Sequence, residues 1–381
     1  MVVLGAAVSL TGRNAPYGTS TKNGYELAVR KINDKGGVRI HGENYRLVVR
    51  YYDDKSNPAH STALAERLIA KDRVTFLLGP YGSALKAMLP VVEKHKIPMV
   101  HAGSEERDLF ARSYRHAFSV LSPADQYLAS AVHLAAEQAE KLGKTKQALK
   151  IALAIERGPS AQDVRAGVLE EIRQHGMMVV IDDQLPPDVE DMSATLSRVK
   201  MLRSDVLVIS GQEKGALTAV RQMREQRVVV PMVAMTHCET AQIADKLGNA
   251  AEHVFCAQQW HRSLNYKDEL FGTAEDFAQA FEQAYQYEAP AQAAQSAAAV
   301  QVFADAFQRT QSLDPEAVRN GIAETELETF YGPIKFDAAG RNVAKPAVLT
   351  QIQNGEHVLV APAHLAIVDP VLPLQAAPPA E

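Results

Sequence analysis

A chain of 381 residues, 46% hydrophobic and 22% charged, is long enough for two ordinary domains, each with its own core. Its formal net charge of −5, with Lys and Arg scattered and no aromatic-basic stripe, gives no general attraction to nucleic acid and excludes that class of partner. No window reaches the roughly 18 to 20 consecutive apolar residues that a membrane span needs.

Val2–Val8 reads as a first strand that runs directly into a turn, not as the basic and apolar opening of a secretory leader. Either the protein is cytosolic, or a leader was removed and Met1 is not the native start. Ser9-Leu10-Thr11-Gly12 and Pro16-Tyr17-Gly18 follow as loop, and the spacing of Leu27, Ala28 and Ile32 predicts a helix from about Thr21 to Asp34, stopped by Gly36-Gly37. A strand is predicted at Tyr45 to Tyr52, then a turn at Asp53-Asp54-Lys55-Ser56-Asn57-Pro58 and a helix at Ala59 to Asp72.

Two strand-to-turn junctions come next, Phe76-Leu77-Leu78-Gly79-Pro80-Tyr81-Gly82-Ser83-Ala84 and Ile97-Pro98-Met99-Val100-His101-Ala102-Gly103-Ser104. Each is a short apolar run that ends in small residues and a serine, with a helical pattern behind it. Backbone N–H groups and a hydroxyl therefore gather at the carboxyl end of a strand, which is how α/β proteins hold a small anion. This repeated βα winding implies a mostly parallel sheet with helices on both faces.

After a hinge expected at Ala117 to Ser122 the pattern restarts, with buried strands at Ala148 to Ile155, Met178 to Ile181, Val206 to Ile209, Val229 to Ala234 and Val254 to Gln258. Amphipathic stretches such as Ala161 to His175 and Gly215 to Arg227 separate them, so a second doubly wound lobe is predicted. Long helices at Ala274 to Tyr287 and Ala291 to Thr310 precede a strand pair at Gly332 to Phe336 and Ala347 to Gln353. Asn354-Gly355 then turns the chain into a strand at Val358 to Val360. Ala363 to Glu381, rich in Pro and Ala, reads as a loose tail. The two cysteines, Cys238 and Cys256, exclude a disulfide scaffold and a Cys-rich zinc module. A single bridge between them stays open, against the commoner case of two buried thiols.

The ordered set Leu10-Thr11-Gly12 with Tyr17-Gly18, Asn33-Asp34-Lys35-Gly36-Gly37, Tyr52-Asp53-Asp54, Gly79-Pro80-Tyr81-Gly82-Ser83, Phe330-Tyr331-Gly332-Pro333-Ile334-Lys335-Phe336-Asp337 with Gly340, and Gln353-Asn354-Gly355 resembles the leucine/isoleucine/valine-binding family. These are the type I periplasmic solute receptors of ABC importers, and the resemblance spans about residues 2 to 362. It implies two lobes joined by three crossovers with a ligand clamped in the cleft between them: lobe 1 at 1–119 and 257–330, lobe 2 at 120–256 and 331–362. It also implies a small-molecule ligand with a carboxylate, transmembrane permease subunits as partners, a monomer, a periplasmic location, and neither cofactor nor metal.

Carried over by position, Ser83 and Ser104 with the backbone at Ala102 match the family's carboxylate site, and Tyr17 matches a tyrosine that packs on the ligand. Tyr81, Gly82, His101 and Gly103 lie in the same junctions. Gly82 and Gly103 are needed for the turns of any doubly wound fold, and Tyr81 can equally pack between lobes. On lobe 2, Ser160, Gln212 and Thr236 fall where amino-acid receptors place two aromatic residues and an acidic one, with His237 beside them. Thr236 departs from the pattern: a buried ammonium without a counter-charge is costly. Either Glu213 or Glu156 substitutes, or the ligand is an aromatic or aliphatic acid without an amine; amides remain a third class. Trp260, the only tryptophan, reads equally as hinge packing or as cleft wall.

Enzyme machinery is not visible. The chain has no Gly-x-Gly-x-x-Gly, Walker loop, His-Glu-x-x-His or Gly-x-Ser-x-Gly elbow, and no histidine adjoins Ser83 in sequence. The alternative to an importer receptor is a cytosolic small-molecule sensor on the same fold, responsive to an amide or an amino acid.

Overall fold

The computed structural model describes residues 1–111 and 114–373. They form two compact units with three chain crossings: residues 1–123 with 260–345 make the first lobe, and 124–259 with the residues from Pro346 onward make the second. No helix among the described residues is long and apolar enough to cross a membrane.

The first lobe is built on five strands, β1 (Val2–Val8), β2 (Leu47–Asp53), β3 (Leu77–Leu78), β4 (Met99–His101) and β5 (Ala117–Ser119). All run parallel, in the order β2-β1-β3-β4-β5. The order reverses between β1 and β3, and in open α/β sheets the crevice beyond the carboxyl ends at such a point is where ligands bind. Leu68, Leu77, Leu85, Met88 and Val92 join the Pro58–Ala70 and Ser83–His95 helices to one face of this sheet in a single buried cluster.

The second lobe repeats the plan with β6 (Lys150–Glu156), β7 (Met178–Leu185), β8 (Val206–Ser210), β9 (Met232–Met235) and β10 (Phe255–Gln258), in the order β7-β6-β8-β9-β10. These five are parallel, and β11 (Val348–Gln353) and β12 (Glu356–Ala361) extend the sheet antiparallel beyond β10. Its apolar side chains split by pleat. Ile151, Leu153, Ile155 and Val208 pack against the Ala129–Glu137 and Pro159–His175 helices on one face. Ala152, Ala154, Leu207 and Ile209 pack against the Ser193–Leu202 and Glu213–Glu225 helices on the other. Burial on both faces explains why these strands read as unbroken apolar runs. Each lobe is therefore a doubly wound α/β sheet.

Several sequence expectations need correction. The first helix begins at Ala15, so Tyr17 and Gly18 lie in its first turn and not in a loop. Ala117–Ser119, read as hinge, is the edge strand β5. Gly332–Lys335 pairs with Glu326–Thr329 as a hairpin, not with the strand at 348–353. Residues 331–345 belong with the first lobe, because Asn342 donates its backbone N–H to Ser119 O at 3.2 Å and its side-chain Nδ2–H to Val120 O at 3.0 Å. The tail is not loose as far as Val371: Gln351 exchanges two hydrogen bonds with the backbone of Val371, at 2.9 Å each. Its last residues, 374–381, lie outside the described part.

Candidate ligand-binding site

In the first lobe the loop after β1 is held from the end of β2. Asp53 Oδ1 accepts the N–H groups of Leu10 at 2.9 Å and Lys55 at 2.8 Å, and its Oδ2 accepts the Thr11 hydroxyl at 2.7 Å. Burial pushes the Asp53 carboxyl up, but hydrogen bonds from the Thr11 side chain and from the backbone of Lys55, Leu10 and Thr11 outweigh it and hold the group below its usual range. Asp54, fully buried, accepts the Ser9 and Ser61 hydroxyls at 2.7 and 3.0 Å. The loop so fixed leads into the helix that carries Tyr17.

The two serine junctions lie side by side. Gly82 caps the Ser83–His95 helix at φ +64°, a left-handed value that favours glycine, and donates its N–H to Gly103 O at 2.8 Å. A Cβ on Gly103 would sit 1.8 Å from Pro80 O, so the second junction closes on the first only because that residue has no side chain. Tyr17 and Tyr81 stack with centroids 4.7 Å apart and planes 15° from parallel. Ser83 is exposed in the first turn of its helix, where backbone N–H groups have no intrahelical acceptor and the helix dipole favours an anion. Ser104 is buried; its Oγ accepts the Glu106 N–H at 3.4 Å.

Two residues that motif reading missed position this set. Gln295, buried on the Ala291–Thr310 helix, donates to Ala102 O at 3.0 Å, and the Tyr25 hydroxyl, also buried, donates to Gly79 O at 2.6 Å. Their only sequence signal is a polar residue on the inward face of a helix. His101 does not join the exposed set. It is 1% exposed, its ring is stacked with Phe110, its Nδ1 has no hydrogen-bond partner among the described residues, and burial pulls its pKa down to about 3, so it stays neutral. Trp260 resolves as core, edge-on to Phe277 and Phe330 in a buried aromatic cluster of the first lobe.

In the second lobe the loops after β6, β8 and β9 carry Ser160, Gln212 and Thr236-His237. Ser160 opens the Pro159–His175 helix and Gln212 is the exposed cap of the Glu213–Glu225 helix. Thr236 is 8% exposed, and its hydroxyl works inward: it accepts Gly211 N–H at 3.3 Å and donates to Ser210 Oγ at 3.4 Å, tying the ends of β8 and β9. His237, at φ +61°, caps the short Cys238–Ala241 helix, and burial lowers its pKa against the pull of Glu213. Cys238 and Cys256 are bridged, with Cα atoms 5.8 Å apart. The case of two free thiols is set aside, and the bridge fastens the Thr236-His237 loop to β10.

Glu156, offered by the sequence as a counter-charge, is 3% exposed beneath the Glu213–Glu225 helix. A Cβ on Gly211 or Gly215 would lie 2.4 or 2.1 Å from its Oε1, so those glycines make its room. Oε2 accepts Asp188 N–H at 3.2 Å, and Oε1 has no hydrogen-bond partner among the described residues. Burial pushes its pKa up, with the Gln212 and Asp188 N–H groups pulling it back only partly.

The profile of the periplasmic binding protein family matches residues 2–356. The chain belongs to this family. BraC3, a Leu/Ile/Val-binding protein of Rhizobium johnstonii, is 26% identical over 225 residues, a match spanning 59% of this chain and 58% of that protein. Two solved structures share the fold. LivJ of Streptococcus pneumoniae, a branched-chain amino acid substrate-binding protein in complex with isoleucine, superposes at TM-score 0.74 with 21% identity over 95% of this chain and all of that one, 100%. A solute-binding protein of an ABC transporter from R. palustris, in complex with benzoate, does so at TM-score 0.72 with 18% identity over 98% of both chains.

Proposed function

We propose that this periplasmic binding protein is the extracytoplasmic receptor of an ABC importer, handing a small carboxylate-bearing ligand without an amine to membrane permease subunits. The observation that carries the ligand class is Thr236. At the position where the amino-acid receptors place their acidic residue, this chain has a hydroxyl spent on Gly211 and Ser210, and the nearby Glu156 is enclosed and pushed toward its neutral form. An ammonium placed there would bury its charge without a partner, at a cost of a few kcal/mol.

The carboxylate belongs on the first lobe. Ser83 and Ser104, the free N–H groups at the start of the Ser83–His95 helix and the backbone around Ala102 supply donors, and the Tyr17–Tyr81 pair supplies an apolar wall for a planar or aliphatic body. Ser160, Gln212 and His237 are the second lobe's contribution, and Thr236, its hydroxyl turned onto Gly211 and Ser210, contributes by leaving that position uncharged. The disulfide supports a location outside the reducing cytosol, and so speaks against the cytosolic sensor. BraC3's name and the isoleucine in LivJ favour a second reading, an amino-acid ligand with Glu213 as counter-charge; the benzoate in the R. palustris protein favours the first.

Calorimetry with matched pairs separates them: phenylpyruvate against phenylalanine, and 4-methyl-2-oxopentanoate against leucine, with benzoate alongside. The acid should bind more tightly in each pair. Tighter binding of the amino acid in both would overturn the reading and bring forward Glu213.

A further inference from the structure

On the second lobe, at the opposite end of the helix that Ser160 opens, His133, Glu171 and His175 converge from two helices. Glu171 and His175 are one turn apart on the Pro159–His175 helix, and His133 stands on Ala129–Glu137. His133 Nδ1 and His175 Nε2 each lie 2.9 Å from the same Glu171 Oε1 and 3.4 Å from one another. Nothing in the ligand chemistry above uses them. Gly167, one turn before Glu171 on the same helix face, explains the close approach: a Cβ there would sit 1.8 Å from Asp125 O, in the turn that leads into the partner helix.

We infer that this cluster is a metal-ion site that takes Zn2+ or a similar borderline divalent cation through His133 Nδ1, His175 Nε2 and a Glu171 carboxylate oxygen. Two nitrogens bound tetrahedrally at 2.0 to 2.1 Å stand about 3.3 Å apart, close to the separation these two already have. The three donor atoms all lie within 4.8 Å of each other, near enough for one ion. Imidazole donors favour zinc over the oxygen-seeking Ca2+ and Mg2+. His133 also has the outer partner that metal-bound imidazoles use: Glu137 Oε1 lies 3.4 Å from its other nitrogen, Nε2. With the proton on Nε2 facing Glu137, the Nδ1 lone pair is released to the ion. The His133 side chain is 54% exposed and those of Glu171 and His175 are 18% and 20% exposed, so an ion can enter and a water can complete its coordination.

The test uses the whole chain, purified without a histidine tag, with ZnCl2 followed by calorimetry and equilibrium dialysis, and CoCl2 followed by visible absorption. One Zn2+ per chain and a Co2+ spectrum of low coordination number are expected. The double variant His133→Ala/His175→Ala should lose both, and Glu137→Gln should weaken zinc about tenfold. Replacing His95, which pairs with Glu66 on the first lobe, should change nothing. A wild type that binds no zinc at micromolar free metal, or a double variant that binds one Zn2+ as tightly as wild type, would overturn the site.

Discussion

Reducing the Cys238–Cys256 bridge should lower the stability of the second lobe by an amount set by the loop it closes. The cysteines are 18 residues apart, and cross-linking a loop of that length restricts the unfolded chain by roughly 3 kcal/mol in the chain-entropy account. For a domain of this size 1 kcal/mol shifts the melting temperature by about 2 to 4 °C, so the second lobe's transition should fall by roughly 6 to 12 °C. Both cysteines are buried, with residue exposures of 2% and 0%, so the reductant has to be applied in denaturant and kept through refolding. Calorimetric melts of oxidised and reduced protein give the shift, and thiol titration in denaturant should count no free thiol before reduction and two after. The bridge also fastens the Thr236-His237 loop, so the reduced protein should bind its ligand more weakly as well. Coincident melts, or two free thiols in the untreated protein, would refute the reasoning.

The first lobe's donors can be tested singly: Ser83→Ala and Ser104→Ala should each weaken carboxylate binding by about 1 to 3 kcal/mol by calorimetry, and unchanged affinity in both would remove the anion site from this lobe. His101 should make the protein acid-sensitive, because burial pulls its pKa down to about 3 in the folded state from near 6.5 in the unfolded chain. Its contribution is complete above pH 6.5 and is lost as pH falls toward 3, about 2 kcal/mol by pH 5, so urea melts of His101→Leu should show a shallower acid slope than wild type. Glu156 has the opposite sign. Its raised pKa favours the folded state at low pH and penalises it as pH rises through the carboxyl range, so Glu156→Gln should be more stable than wild type at pH 7 and converge with it in acid.

Much of the fold was legible because burial writes a pattern. The runs at 151–155 and 206–209 are apolar on both pleat faces, as a sheet covered on both sides requires, and Asn57-Pro58 marks a helix start that the structure uses, Asn57 Oδ1 accepting the Ala59 N–H at 2.9 Å. The misreadings fall where pattern and propensity part. Pro16-Tyr17-Gly18 looks like a loop, yet Pro is welcome in a first helical turn, and Gly18 is there because a Cβ would meet Ser9 O at 1.9 Å. The short β5 is three residues of edge strand with too little periodicity to register. At the site, serines and glycines after strands could be read directly, whereas Gln295 and Tyr25 could not, since an inward polar residue on a helix shows only that it needs a partner, not which one.

The two lobes use one device at their switch points and spend it differently. In the first, the polar groups beyond β1 and β2 are consumed in fixing a loop, as when Asp53 and Asp54 gather Ser9, Leu10, Thr11 and Ser61, and this leaves Ser83 exposed at the start of its helix, with Tyr81 of the stacked and half-buried tyrosine pair nearby in the chain. In the second, the carboxyl that could have faced outward at the end of β6, Glu156, is turned under a helix in room that only Gly211 and Gly215 leave, and Thr236 is turned onto the backbone. A receptor for an amino acid needs an outward charge on that side; a receptor for a simple acid gains from not having one, because a carboxylate there would repel the ligand it is meant to hold. On the proposed reading of an amine-free acid, the glycines share in the selectivity with the threonine. Gly215→Ala, which would drive Glu156 out of its pocket, should weaken binding of the amine-free acid while sparing the Ser83 and Ser104 contacts on the other lobe; if Glu156 is displaced and affinity is unchanged, its burial has no bearing on ligand choice.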